Sequence, residues 1–472
     1  MEYIMKLQAT TFLLVTFLLI TLLFSACVPL QQKISTDETV KIPESYNYAP
    51  QQGEKAEDLN KIIANEELNK LIQNALINNL SLKTMKARIK QANAKLSKEK
   101  ALLFPDLNLS FSGAKNEIRS QKTYDDNSAT YSSAHSWDSA LSSNYTVDVF
   151  GKNKANRMAA ESTLQAAQAD YESTLDKLLG QVAETWIEII GIRNQKKLLE
   201  KQINVNNNLV ELLKFRYANG KANALDVSQQ VGTLASTKAL EPILEKQEKL
   251  LLNSLTLLSG FTDPGKITVK TQNLPLMPPV PDIGIPDKLL ENRPDIKAAK
   301  NRLISSKWTL QAARISLLPS LNITASSAFS NGELDLLFKN WVSSLKASIT
   351  ANIFDGGLRR AEVKRARAAV EEQVNLYAGI VAQAIIEVEN ALVSLQTQKS
   401  YIALLEEELG LGKLTLEDAM LQYQNGQSSY LAYLTAWTSV EKLERQLVGE
   451  RVTYIKKWIE LCHSLGFVLY DL

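Results

Sequence analysis

The chain has 472 residues, 45% hydrophobic and 22% charged, a composition that suits a folded globular chain and not a disordered one. Its 53 Lys and Arg balance 51 Asp and Glu to a net charge of +2, so no bulk basic field is available to hold nucleic acid. Two cysteines, Cys27 and Cys462, and two histidines, His135 and His463, are too few for a disulfide framework or a His/Cys metal cluster.

The first segment concerns destination. Lys6 precedes an apolar run over residues 11–24 that is too short and too close to the N-terminus for an ordinary spanning helix, which predicts a signal peptide over residues 1–26. The run ends in Leu23-Phe24-Ser25-Ala26-Cys27, small residues directly before a cysteine. That pattern resembles a bacterial lipobox, with Phe24 where leucine is usual, and it makes Cys27 the candidate for acylation, with a fatty chain such as palmitate. The alternative is a plain signal peptide cut near Ala26. Val28 follows the cysteine in place of the aspartate associated with inner-membrane retention, so the resemblance favours the outer membrane. Beyond Cys27 no run approaches the uncharged apolar length expected of a spanning helix, so any membrane crossing is expected to use strands.

Next along the chain, one pattern occurs twice. A helix over residues 80–107 ending in Phe104-Pro105-Asp106-Leu107 matches one over residues 294–321 ending in Leu318-Pro319-Ser320-Leu321, with the prolines 214 residues apart. Tyr217-Ala218-Asn219-Gly220 matches Tyr423-Gln424-Asn425-Gly426, and Leu225 and Gly260 match Leu431 and Gly466, all at an offset of 206. The second copy is therefore shorter by eight residues, most cheaply lost in a loop between strands. A Pro-rich linker over 274–286 separates a lipidated arm (27–60) and first repeat (61–273) from a second repeat (287–472).

Each repeat is expected to run helix, strand, loop, strand, very long helix, turn, long helix. Apolar residues alternate with polar ones over residues 107–113, 141–150, 321–329 and 345–353, for example Leu107, Leu109 and Phe111 against Asn108, Ser110 and Ser112. Residues 114–140 and 331–344, rich in Ser, Asn and Asp, are expected as surface loops. In lipid every backbone polar group must be paired, and four strands cannot close a barrel alone, so a membrane barrel must be shared between copies. From Lys152 a proline-free pattern runs to Tyr217 with a heptad series Leu164, Tyr171, Leu178, Thr185, Ile192, Leu199. The second copy has Val374, Val381, Val388, Leu395, Ile402, Leu409. Sustained heptads predict coiled-coil packing over helices on the order of 100 Å long.

With these features in hand, the chain resembles the TolC family of outer-membrane efflux proteins, in the lipidated branch that works with resistance-nodulation-division pumps. The resemblance rests on Asn292-Arg293-Pro294-Asp295-Ile296, on Phe215-Arg216-Tyr217-Ala218-Asn219-Gly220 leading to Leu225-Asp226-Val227, and on the duplication. It implies a mainly α, mixed α and β fold: each chain gives four strands to a trimeric twelve-stranded transmembrane β-barrel joined to a long periplasmic coiled-coil α-barrel. An equatorial collar would use the remaining helices and both terminal segments. It further implies a homotrimer in the outer-membrane lipid, with a periplasmic adaptor and an inner-membrane pump as partners, and with no cofactor apart from the lipid at Cys27.

Gly220 and Gly426 are expected to reverse one helix into the next at the periplasmic tip. In the family the tip narrows to a gate of tyrosines, basic residues and aspartate rings. Ala432 stands where an aspartate is expected, so the gate candidates are Tyr217, Asp226, Tyr423, Tyr430 and Tyr433. Phosphate-loop, Gly-x-Ser-x-Gly and His-Glu-x-x-His motifs are missing, so no enzyme is expected. The expected function is a passive exit duct for small molecules driven by a pump. The alternatives are the duct of a type I protein secretion system and a structural lipoprotein coiled coil without a channel.

Overall fold

The computed structural model describes residues 42–48, 65–121 and 129–467; the expected signal peptide and Cys27 lie outside the described residues. Helix α1 (Glu66–Asn78) gives way to α2 (Leu80–Ala101) at Asn79, whose side chain accepts the Ser81 and Leu82 amides and so caps the second helix. Strands β1 (Asn108–Gln121) and β2 (Ala129–Val147) follow, then α3 (Lys152–Ala218), α4 (Ala224–Lys238) and α5 (Glu241–Leu258). The second half has a one-turn α6 (Leu289–Asn292), α7 (Pro294–Ile315), β3 (Ser320–Asn331), β4 (Trp341–Thr350), α8 (Leu358–Gln424) and α9 (Tyr430–Ser464). Both α3 and α8 are 67 residues long, about 100 Å at 1.5 Å per residue, as the uninterrupted heptads predict.

Four expectations about secondary structure are corrected. The helices before β1 and β3 stop at Ala101 and Ile315, ahead of their prolines, because the residue before a proline is pushed out of helical geometry. Residues 114–140 are mostly paired strand: β1 and β2 stay in register from Asn108↔Ser142 to Gln121↔Ala129. In the second half β4 begins at Trp341, after a short 3-10 turn at Leu334–Lys339. The descending helix of the first half is broken between α4 and α5, where Pro242 lacks the amide that would continue the ladder; Val448 is its counterpart in the unbroken α9.

The four strands form one antiparallel sheet in the order β1-β2-β3-β4. Next to the sheet the helices pack in the matching order α2-α3-α7-α8, so the helical row continues the sheet. Farther from the sheet the row becomes α8-α9-α3-α4/α5. The outer strands β1 and β4 have no further partner among the described residues. One face carries Ser110, Asn144, Thr146, Asn322, Thr324, Ser326 and Ser344, which bridge across strands, as in Thr146 to Asn322 at 2.8 Å and Ser326 to Ser344 at 2.8 Å. The opposite face carries Leu109, Phe111, Leu345 and Ile349, each more than half exposed.

The core sits midway along the long helices. There α3 is buried nearly all round, through Val182, Trp186, Ile187, Ile189 and Ile190, as a helix apolar on every face must be. The Pro-rich linker is extended, as expected, and pinned: Tyr454 Oη and Trp458 Nε1 donate to the carbonyls of Pro278 and Pro279 at 2.8 and 2.7 Å. Residues 42–48 join this collar, with Tyr46 buried and the Asn47 and Tyr48 amides donating to Glu389. By length and composition alone α8 holds an 18-residue stretch apolar enough to cross a membrane, with mean hydropathy 1.4, contrary to the sequence expectation. Many of its apolar residues, including Val381, Ala384, Val388 and Leu392, pack into the collar core.

Candidate functional site at the helical tip

Farthest from the sheet, the two long hairpins turn side by side. In the first, Gly220 takes φ +68° and the Lys221 amide donates to the Arg216 carbonyl at 2.8 Å; in the second, Gly426 takes φ +71° and the Gln427 amide donates to the Gln422 carbonyl at 2.8 Å. Both are left-handed helix ends that favour glycine, as the sequence predicts.

Asp226 has a local partner. It forms a capping box with Asn223, accepting the Asn223 amide at 3.3 Å while its own amide donates to Asn223 Oδ1 at 2.8 Å. Ala432 and Ser429 hold the same places in the second hairpin, and Ser429 makes no side-chain cap. The second hairpin therefore has neither half of the capping box, and the missing aspartate accounts for the half that would accept the Ser429 amide.

The structure brings Tyr423, Tyr430 and Tyr433 together, with ring centroids 5.4, 5.9 and 6.2 Å apart. The Arg216 guanidinium lies 4.9 Å over the Tyr423 ring, a cation–π contact that ties the first hairpin to the second. Tyr217, by contrast, is exposed and outside the cluster. Tyr430 and Tyr433 are buried inside the protomer with Leu213 and Leu434. Burial, followed by the neighbouring tyrosines and Asp226, pushes the Tyr430 hydroxyl well above its ordinary range, so it remains a neutral donor.

Behind the tyrosines lies a buried polar chain that the sequence reading missed. Tyr430 Oη donates to Gln230 Oε1 at 2.6 Å, Gln230 Nε2 to Asn206 Oδ1 at 2.7 Å, and Asn206 Nδ2 to Glu441 Oε1 at 2.8 Å. Gln202 Nε2 adds a bond to the Glu441 carbonyl at 3.1 Å, and Arg445 donates to Gln202 Oε1. Asn206 and Gln230 are fully buried, and Gln202 and Glu441 nearly so. The legible signal was Leu199, Gln202, Asn206, Val210, Leu213: two amides placed on a buried helical stripe. The site is built to hold two hairpins against each other, and no cluster able to hold a metal occurs among the described residues.

Comparison with known proteins agrees with this architecture. The sequence profile described as "Outer membrane efflux protein" matches the chain twice, over residues 71–260 and 285–466. The pyoverdine export outer membrane protein OpmQ of Pseudomonas aeruginosa is 27% identical over 382 residues, spanning 80% of this chain and 81% of that one. Nodulation protein T of Rhizobium leguminosarum bv. trifolii is 27% identical over 399 residues, 83% and 82% of the two chains. Among solved structures, the outer-membrane channel OprN superposes with a TM-score of 0.84 at 21% identity, covering 94% of this chain and all of that one. VceC of Vibrio cholerae gives 0.78 at 27% identity, with 85% and 97% covered. With its profile matched over most of its length and the channel fold in place, the chain belongs to the outer membrane efflux protein family.

Proposed function

We propose that the chain is one third of a closed export channel that crosses the outer membrane through a shared barrel and reaches into the periplasm through its helices. The observation that carries this reading is the four-stranded sheet with two open edges and an uncovered apolar face, continued by helices in the same order. Open edges and unpaired strands are not tolerated in lipid, and a large apolar face marks a surface meant for something other than water. The apolar band runs from the row of Phe111, Ser139, Phe329 and Trp341 to that of Val147, Leu321 and Ile349. Those eight steps span about 26 Å of strand at 3.3 Å per residue, close to the apolar height of outer-membrane barrels.

Three copies supply twelve strands. Exposed apolar side chains on the open helical edges, Leu404, Leu411 and Leu421 on α8 and Ile243, Leu250 and Leu257 on α5, suit contact between neighbouring copies. Tandem duplication is supported by the double profile match and by paired contacts. Asn79 Nδ2 donates to the Leu258 carbonyl at 2.8 Å, and Arg293 donates to the Ser464 carbonyl at 3.2 Å, in corresponding places of the two halves. Acylation at Cys27 adds an anchor. Small molecules are the expected cargo, in line with relatives named for pyoverdine export and toluene efflux. Energy comes from an inner-membrane pump through a periplasmic adaptor, and the tip forms the resting constriction.

Disrupting the gene and measuring accumulation of a fluorescent hydrophobic dye tests the reading, alongside identification of proteins that co-purify with the tagged chain. Raised dye accumulation together with a co-purified adaptor and pump is expected. Unchanged accumulation with loss of a secreted protein would assign the duct to protein export.

A further inference from the structure

We propose that Glu441 is a proton-operated latch that ties the inner face of the second hairpin to the first and makes opening of the tip depend on pH. The inference rests on the reading of the chain as a channel closed at its tip and adds a control to it.

The geometry carries the proposal. Tyr430, Gln230, Asn206 and Glu441 form one directional chain across α9, α4 and α3, in which every donor points toward the carboxylate. The Glu441 oxygen is its terminal acceptor. The Gln230 amide is oriented by Asn206: reversing it would set its oxygen against Asn206 Oδ1, so Oε1 accepts from Tyr430 while Nε2 donates to Asn206. The chain is shut off from solvent: Asn206 and Gln230 are 0% exposed, and Glu441 is 4% exposed. A tip that opens by parting α9 from α3 must break the Asn206 to Glu441 bond and wet the carboxyl group.

Surrounding charges do not fully offset this burial. Arg445 and Glu444 on α9 itself act on Glu441, the Glu441 charge in turn raises the Tyr433 hydroxyl, and Lys413 on α8 pairs with Glu444 at 3.3 Å. From α3 and α4 the chain contributes the amides Gln202, Asn206 and Gln230. Burial is the largest influence and lifts the Glu441 carboxyl to about 6, against the attraction of Arg445 and the bond from Asn206. Once the helices part and water enters, the group returns toward the ordinary carboxylate range near 4.5.

The sign follows from linkage. The packed tip holds the proton more tightly than the parted tip, so protonation below pH 6 favours packing and deprotonation above it favours parting. A difference of one to two pKa units corresponds to a shift of roughly ten- to a hundredfold per protomer in the balance. Acidification from pH 7.5 to 5 therefore closes the tip.

The test is planar-bilayer conductance of the purified full-length protein between pH 5 and 8, for wild type, Glu441→Gln and the control Glu444→Gln. Glu441→Gln keeps an acceptor for Asn206 and stays neutral, so it should remain mostly closed across the range with a flat profile. Wild type and Glu444→Gln should open at least tenfold more at pH 7.5 than at pH 5. A Glu441→Gln profile as steep as wild type would overturn the latch while leaving the channel reading intact, whereas no conductance in any variant would overturn the channel reading. Hydrogen exchange over residues 430–445 gives a readout independent of conduction. Wild type should be less protected than Glu441→Gln at pH 7.5 and equally protected at pH 5, and equal protection at both would also overturn the latch.

Discussion

Gly191 of α3 faces Val452 of α9 so closely that a Cβ at residue 191 would sit 2.4 Å from the valine Cγ2. The approach lets the two helices cross within the collar, where both residues are buried. Gly191→Ala should destabilise the fold by about 1–3 kcal/mol, the usual cost of overpacking a filled core. Adding Val452→Ala should recover much of the loss. Thermal unfolding in detergent checks this, and equal melting of Gly191→Ala and wild type would show that the collar yields freely.

Arg293 is a second collar feature with a pH signature. Its guanidinium pairs with Asp295 at 2.6 Å and Glu387 at 2.8 Å. Burial alone raises the Asp295 carboxyl, but the Arg293 bonds and charge outweigh it and hold the group below its ordinary value. A carboxyl depressed in the folded state contributes stability above its unfolded pKa and loses it as pH falls through the folded value. Arg293→Met should therefore cost about 2–3 kcal/mol at pH 7, less than a fully buried pair because both acids stay partly solvated. The difference from wild type should shrink below pH 4, as chemical denaturation at pH 7 and pH 3.5 would reveal.

The long helices, the ends of α3 and both tip glycines were legible because proline-free heptads and a left-handed turn leave strong local marks. Strand length was not. Beyond the apolar band the β1 and β2 hairpin carries Lys115, Asn116, Glu117, Ser132 and Ser133, polar on both faces, so alternation disappears while backbone pairing continues. The break at Pro242 is marked in the sequence by the proline alone, inside an otherwise helical pattern. At the tip the tyrosines were legible as a cluster. Their burial within one protomer was not, because it depends on Gln230 and Asn206 arriving from other helices.

The tip contacts set expectations for the gate. Tyr423→Ala removes the ring beneath Arg216, and Tyr430→Ala removes the donor to Gln230. Both should raise open probability in single-channel recordings with the assembly intact. Asp226→Asn retains an oxygen to accept the Asn223 amide, so the helix should persist while block by cations weakens. Unchanged conductance in all three variants would place the constriction elsewhere.

Acylation of Cys27 is the outcome expected from the apolar run ending in Ser25-Ala26-Cys27. Mass spectrometry of the mature N-terminus should find a lipidated cysteine, and Cys27→Ser should alter sorting or yield more than assembly. A free, unmodified cysteine at that position would remove the anchor from the account.

The claim on which the rest depends is that four strands with two open edges are completed by other copies of the same chain. Native mass spectrometry of the protein extracted in mild detergent tests it most directly. The account predicts a single dominant species of three chains that releases monomer only on denaturation. A stable, folded monomer would contradict it.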